Sequence, residues 1–472
     1  MYKIFLATSL SIFILHAHST EEASSPKLGD SLNKTITLQD EKIIGLNIFK
    51  SLQKQNNIIN DFLISDYITY LGNRLSRNLG TEREYVFFVT KSKSVNAFAV
   101  PGGFIGINAG LINLTENEAQ LAGVLAHELG HVVLRHSAEM MAMSNVNSIP
   151  LWVGIFAGLL AGQTEASIAS IKSGIGLSVQ NNINLVRENE IESDTFAVKL
   201  MQRANYDINE MANFFRLMQG NSISQSNLNE YFMTHPLYKN RISTIQNRAK
   251  EQNNPMLNSS NDYFYIRNIV NNNLSSLSRP EYRATDNDIE NHRISLRLIK
   301  EGKYKQARDV LQDSFNKSNF NIYLASTMSQ IYWLDNKKNE ARNILEDVLS
   351  IYPNKSILIQ LAVYNIKDRT KLEESINLIE RVIKNTPYNP ELYKLLAEGY
   401  TVINNIYKSK LALVNYYNLK GNIAMAFKVI DDTVQSRKLN PYQKNYLKQL
   451  KNSILCSSNP PLEPIFGNKT CN

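Results

Sequence analysis

The sequence predicts a mainly α protein in two parts: an α+β domain with a small β-sheet, followed by an all-helical repeat domain. Three observations predict it. Apolar residues recur at helical spacing through most of the chain. One cluster of β-branched and aromatic segments, residues 84–108, interrupts them. Beyond residue 300, small residues and prolines return every 34 positions. At 472 residues the chain is too long for one ordinary core, so two or three domains are expected.

Composition narrows the class. Hydrophobic content of 43% and charged content of 20% are globular values, and a net charge of +8 is modest over this length. No dense Lys/Arg block and no aromatic–basic interleaving occurs, so no nucleic-acid partner is expected. Lys3, the apolar run Ile4 to Leu15 and Ala17-His18-Ser19 form a secretory signal pattern, with cleavage after Ser19. An uncleaved anchor is the alternative, although the run is short for a span. No Cys follows, which argues against a lipoprotein. Cys456 and Cys471 are the only cysteines. In an oxidising compartment they could close a small loop around the Pro-rich tail.

The elements follow in order. Residues 20–35 are polar. Ile43, Ile44, Leu46, Ile48 and Phe49 mark one helix, and Phe62 to Leu75 a second, running from about Asp61 to Leu79 with Gly80 as its stop. Glu84 to Thr90 reads as a strand. Asn96 to Val100 and Phe104 to Asn108 read as a hairpin about Pro101-Gly102-Gly103. The edge of that hairpin could pair with an extended peptide; a plain structural hairpin is the alternative. Thr115-Glu116-Asn117-Glu118 matches a capping box, which predicts a helix from Glu116 past His136. Ile149 to Gly162 is apolar but short for a bilayer and reads as a buried helix or a flap. Arg187 to Asp194 opens a helix that ends at Tyr206-Asp207. Met211 to Met218 forms another, and a loop at Thr234 to Leu237 precedes a helix carrying Arg241 and Ile242. Residues 250–262 read as a linker or a frayed helix end. Ala307, Ala341 and Ser375 are spaced by 34, as are Pro353 and Pro387. Ala426 falls 51 after Ser375 and breaks the count, implying an irregular unit.

The chemistry concentrates in His127-Glu128-Leu129-Gly130-His131, the pattern H-E-x-x-H. On a helix, residues i and i+4 share a face, so both imidazoles can reach one metal ion with Glu128 beside it as general base. The bland alternative is a chance match with satisfied histidines. A catalytic zinc takes three protein ligands and leaves a position open. No cysteine lies near, so the third ligand must be His or a carboxylate. Glu190-Ile191-Glu192-Ser193-Asp194 supplies an i, i+4 pair: Glu190 as ligand, and Asp194 to hold a ligand His, most plausibly His127, in its tautomer. A solvated acidic helix N-terminus is the alternative. Glu188 and Glu192 are expected to point away. His136, five residues past His131, falls off the shared face and is expected to be structural.

HELGH, the preceding NAFAVPGGFIGINAGLI, ExxSD and the later THPLYKNRI together resemble the HtpX-type zinc endopeptidase family. The signal pattern plus C-terminal tetratricopeptide repeats is similar to its soluble periplasmic branch, the β-barrel assembly-enhancing type. The resemblance implies a gluzincin-like domain with one Zn2+ per subunit on His127, His131 and Glu190. Glu128 would be the base, and Asp194 a catalytic or supporting carboxylate. His235 matches a family His that can take the fourth zinc position and hold the enzyme latent, or elsewhere stabilise the transition state; a loop-fixing His beside Pro236 is the alternative. It also implies unfolded or misassembled outer-membrane proteins as substrates, the β-barrel assembly machinery as partner, and a periplasmic location with no stable transmembrane segment. A chaperone or scaffold with a largely latent site is the competing reading. The expected layout is a signal peptide over 1–19 and a metallopeptidase domain over 20–260. A linker or helical connection over 261–285 leads to repeats over 286–455 and a tail over 456–472.

Overall fold

The computed structural model describes residues 36–77, 79, 83–142, 179–221, 231, 235–236, 240–252, 260–274 and 286–458. The signal pattern, residues 20–35, Gly80, the apolar stretches 149–162 and 168–178, most of 250–262, and Cys471 lie outside them. Among the described residues, no helix is long and apolar enough to cross a membrane.

The fold is mainly helical around one small sheet. Helix α1 (Leu38–Lys54) starts at a capping box: Thr37 accepts from the Asp40 amide, and Asp40 bonds back to Thr37. Helix α2 (Phe62–Ser76) is capped by Asp61. Strands β1 (Val86–Thr90), β2 (Ala97–Val100) and β3 (Phe104–Asn108) follow. The sheet order is β1-β3-β2, with β2–β3 the antiparallel hairpin and β1 parallel to β3. The hairpin turn needs left-handed backbone at Gly102 (φ 80°) and Gly103 (φ 88°), which glycine adopts without a Cβ penalty. Alternate strand residues face two cores. Phe87, Val89, Ala97, Ile105 and Ile107 join the main one, while Phe88, Val100 and Phe104 pack under Ile44, Ile48, Phe49 and Leu52 of α1.

The main core continues through α3 (Ala109–Leu114), α4 (Glu118–Val133), α6 (Val179–Arg203), α7 (Asn209–Asn221), α8 (Arg241–Ala249) and α9 (Asn261–Asn273). A short helix, α5 (His136–Ala142), follows α4. The capping-box start at Glu116 is not adopted. Thr115 closes α3 instead, its hydroxyl buried against the Tyr263 hydroxyl at 2.8 Å, so Asn117 caps α4 through the Gln120 amide. The predicted run past His136 is also broken. Arg135 turns to φ 61° because its guanidinium is drawn to Glu41 Oε1 at 2.6 Å, a partner 94 residues away in sequence. Helix α6 begins at Val179, earlier than the predicted Arg187, so Glu190 and Asp194 sit mid-helix.

Helices α10 to α19 stack as antiparallel pairs: α10 (Asn287–Lys300), α11 (Tyr304–Lys317), α12 (Ile322–Leu334), α13 (Lys338–Ile351), α14 (Lys355–Lys367), α15 (Leu372–Asn385), α16 (Pro390–Val402), α17 (Ile406–Leu419), α18 (Ile423–Val434) and α19 (Pro441–Ser458). Small buried residues sit where each pair crosses. Ser295 donates to the Ala307 carbonyl at 2.9 Å, and Ser329 to the Ala341 carbonyl at 2.6 Å, one period later. The count does not break where expected. Ser409, 34 residues after Ser375, holds the same phase and donates to the Ala397 carbonyl at 3.1 Å. The left-handed step before it is made by Asn404 (φ 58°), as Asn336 (φ 60°) makes the step before Ala341. Cys456, in the last turn of α19, is disulfide-bonded.

The repeats fold back on the first domain. Lys355 pairs with Asp66 at 2.6 Å, Ser356 donates to the Phe62 carbonyl at 3.1 Å, and Lys50 donates to Asn418 at 2.9 Å. The apolar core is continuous across the junction, running into Leu296, Leu311, Tyr323 and Met328. At this junction His292 is fully buried, and burial lowers it to about 3. A depressed histidine stabilises the fold above its unfolded value near 6.5, and that stability is lost as pH falls from 6.5 toward 3. Denaturant unfolding should therefore lose about 2 kcal/mol between pH 7 and pH 5 through this residue. His292→Gln, which keeps a donor toward Thr327, should flatten the decline by that amount.

Candidate metal centre

Two helices build the site. Helix α4 presents His127, Glu128 and His131, and α6 crosses it to present Glu190 and Asp194. Their approach depends on Gly130 inside the H-E-x-x-H pattern. A Cβ there would meet Ser193 Cα at 3.0 Å and its carbonyl oxygen at 3.2 Å. Any larger residue would push Glu190 away from the imidazole pair.

The polar atoms converge. His127 Nε2 lies 3.0 Å from His131 Nε2 and 3.3 Å from Glu190 Oε2, and His131 Nε2 lies 3.2 Å from Glu190 Oε1. His235 enters from the segment before α8. Its Nδ1 is 3.0 Å from Glu190 Oε1 and 3.3 Å from His127 Nε2. One ligand-type atom from each of the four residues falls within a 4.8 Å cluster. A tetrahedral ion with ligand bonds of about 2.0–2.1 Å has ligand–ligand edges of about 3.3–3.4 Å. The observed spacings of 3.0–3.3 Å match that shell, and such nitrogen–nitrogen contacts suit neutral rings sharing a cation. Glu128 Oε1 points into the cluster, buried without a hydrogen-bond donor among the described residues, 3.4 Å from His235 Nε2.

A second layer fixes these groups. Asp194 Oδ1 is 2.9 Å from His127 Nδ1. Arg241 grips the same carboxylate with two bonds, Nε at 2.7 Å and Nη2 at 2.8 Å, and pairs with Glu190 at 3.0 Å. Its guanidinium lies over the Phe215 ring at 4.2 Å. Burial opposes ionising Asp194, but Arg241 and His127 outweigh it and hold the carboxyl below its usual value. Burial also opposes charging His127, yet the Glu190 and Asp194 carboxylates raise it to about 9. In His131 burial prevails and lowers the imidazole to about 4. The pocket is a nest of negative charge that calls for a cation at its centre.

Of the residues predicted from sequence, His127, His131, Glu128, Glu190, Asp194 and His235 all meet here. The reading of Glu190 and Asp194 as a solvated helix start falls, since both are buried in mid-helix. His136 stays outside the donor cluster, as expected, but it is not far from it: because the chain breaks at Arg135, its Nδ1 swings to 2.9 Å from His131 Nδ1. One expectation is corrected. Glu192 does not point away, for its carboxylate reaches His136 Nε2 at 3.4 Å. Arg241 was placed on its helix without a role. The available signal was its phase, since Arg241, Ile245 and Ala249 form one buried stripe on α8.

An H-E-x-x-H helix crossed by a carboxylate-bearing helix, with the donors converging on one point, defines a metallopeptidase. Residues 65–249 match the family model of Peptidase family M48. It is similar to the β-barrel assembly-enhancing protease of Escherichia coli strain K12, 26% identical over 432 residues that cover 89% of this chain and 88% of the relative. A putative β-barrel assembly-enhancing protease of Vibrio cholerae is 33% identical over 230 residues, 48% of this chain and 47% of the relative. A mitochondrial metalloendopeptidase of Schizosaccharomyces pombe is 28% identical over 166 residues, 35% of this chain and 47% of the relative.

Removing Arg241 would leave two buried carboxylates facing each other without their fixed cation. Arg241→Ala should destabilise the protein by about 3–5 kcal/mol. Arg241→Lys should recover part of that, because lysine lacks the two-pronged geometry. Denaturant midpoints at neutral pH measure both.

Proposed function

We propose that the chain is a periplasmic zinc endopeptidase that cleaves misfolded or stalled outer-membrane β-barrel proteins. Its repeats recruit those substrates or the assembly machinery. The observation that carries the enzymatic reading is the four-residue donor cluster with tetrahedral-edge spacing, backed by Glu128. Three imidazoles, one carboxylate and no thiolate suit zinc among common divalent ions. The substrate class is supported by the name of the Escherichia coli relative, which aligns over 88% of its own length. Export is supported by Lys3, the apolar Ile4 to Leu15 and the small residues at Ala17 and Ser19. The layout of peptidase domain over 20–260, connection over 261–285 and repeats over 286–455 belongs to the same reading.

In it, His127, His131 and Glu190 hold the zinc, and Asp194 fixes the His127 tautomer by accepting from Nδ1. Zinc, when bound, supplies Lewis acidity toward the scissile carbonyl and makes water a nucleophile near pH 7. Glu128 takes the proton of the attacking water at its carboxylate and returns it to the leaving amine. The edge strand β2, free on its outer side among the described residues, offers backbone groups to an extended peptide.

A second reading is a chaperone or scaffold whose zinc site is largely latent. Its support is His235, whose Nδ1 sits at the fourth vertex while Nε2 approaches Glu128 at 3.4 Å. Both readings fit one molecule if His235 is a removable latch.

Glu128→Gln should keep one zinc per chain and lower peptide hydrolysis about 10²–10⁴-fold. Undiminished cleavage of an unfolded β-barrel protein by that variant would remove the assigned mechanism. His235→Ala should cleave the same substrate faster than wild type, and an equal or slower rate would argue against a latch.

A further inference from the structure

We infer that His136 is a positioning residue for the metal centre. It fixes His131 in the tautomer that leaves Nε2 free for the ion, and is itself fixed by Glu192. This rests on the reading that His131 is a metal ligand.

The argument starts from the helix break. In a continuous helix a residue at i+5 points away from residue i. Here α4 ends at Val133, Arg135 adopts φ 61°, and α5 restarts at His136. Arg135 is pinned by Glu41 Oε1 at 2.6 Å and by the Ile36 carbonyl at 2.8 Å, partners 94 and 99 residues away in sequence. Arg83 adds a bond of 2.6 Å to the Val132 carbonyl, one of the acceptors that the helix end leaves over. The break is therefore built, and it delivers the imidazole of His136 to the back of His131.

The protons along this path have one consistent arrangement. His131 Nε2 faces His127 Nε2 at 3.0 Å and Glu190 Oε1 at 3.2 Å, so its lone pair belongs to the centre. A neutral His131 then carries its hydrogen on Nδ1 and donates to His136 Nδ1 at 2.9 Å. His136 must accept there, so its hydrogen is on Nε2, which faces Glu192 Oε2 at 3.4 Å. Ser193 Oγ lies 3.3 Å from the same nitrogen. The two ligand imidazoles are thus held in different ways. His127 leans directly on the buried Asp194. His131 leans on an aspartate's substitute, a neutral imidazole backed by a carboxylate whose side chain is 62% exposed. Glu190, Ser193 and Asp194 bind or support the centre from one stretch of α6, and Glu192 adds the outermost link.

Outer hydrogen-bond partners of metal ligands typically contribute 10–100-fold in metal affinity. The full-length protein, stripped of metal and titrated with zinc against a competing chelator, supplies the readout. His136→Leu removes the acceptor and should weaken zinc binding about 10–100-fold. His136→Asn places an amide oxygen where Nδ1 stood and should restore affinity to within a few-fold of wild type. Glu192→Gln, at a side chain that is 62% exposed, should weaken binding by a few-fold. Equal affinity of wild type and His136→Leu overturns the proposal, as does an equal loss in the Leu and Asn variants. If His136→Leu fails to fold, the wild type still decides. Two-dimensional nitrogen-15 spectra of the zinc-loaded protein should show His136 protonated on Nε2 and not on Nδ1; the opposite tautomer overturns it. Failure of wild type itself to bind one zinc would instead overturn the ligand assignment on which this rests.

Discussion

The structure depends on bringing two carboxylates, Glu190 and Asp194, out of water against the imidazoles of α4. Glu190 is 2% exposed and Asp194 6%, so neither is relieved by solvent. A buried carboxylate without compensation costs several kcal/mol. Compensation here is divided between Arg241, bonded to both, and the imidazole cluster. The division matters chemically. Arg241 neutralises the Asp194 side permanently, since guanidinium does not lose its proton in proteins. The Glu190 side is left to whatever positive charge the histidines or a metal ion supply. The fold therefore fixes half of the charge balance and leaves the other half to the ligand.

That arrangement is useful only if α4 cannot shift, and it is fastened beyond both ends. At its start, Glu118 is buried and accepts from Tyr67 at 2.9 Å, from Tyr206 at 2.6 Å and from Ser260. Those three donors come from α2, the end of α6 and the segment leading into α9, so one carboxylate ties three elements to the first turn. Its place beside the helix N-terminus is also favoured by the helix dipole. At its far end, Arg135 and Arg83 reach Glu41 on α1, at 2.6 and 3.7 Å. A helix anchored by ion pairs and hydrogen bonds at each end resists sliding by a turn, which would carry one imidazole to the level of the other and empty its place at the centre.

The sequence was informative where chemistry is local in the chain. H-E-x-x-H, the Glu190/Asp194 pair, the glycine-turned hairpin and the spacing of Ala307, Ala341 and Ser375 are all patterns of short separation. What was missed is non-local. The break at Arg135 is dictated by Glu41, 94 residues away, and only that break turns His136 from a bystander into a neighbour of His131. Thr115 looked like a helix cap because its competing partner, Tyr263, lies 148 residues further on. The parallel pairing of β1 with β3 has no local signal either. Arg241 stood in plain view on an amphipathic helix, but a buried arginine is unreadable until the acids it faces are known.

A latch made of a ligand differs physically from a lid. If His235 is the fourth ligand, the closed site keeps His127, His131, Glu190 and Glu128 already assembled, and opening requires only that one imidazole leave. A hundredfold preference for the closed state needs about 2.7 kcal/mol, well within what one metal–imidazole bond and the contact with Glu190 can provide. An occupant that binds only the open state must supply at least that difference. The repeats are placed to contribute, because they are fastened to the peptidase domain through Lys355–Asp66, Lys50–Asn418 and a continuous apolar core. If the repeats recruit the substrate, as proposed, tethering raises its effective concentration and lowers the affinity that its scissile segment must have for the open state. Selectivity then need not reside in the cleft. An edge strand that offers only backbone groups can serve a discriminating enzyme if the small free energy needed to displace His235 comes mainly from what the repeats hold.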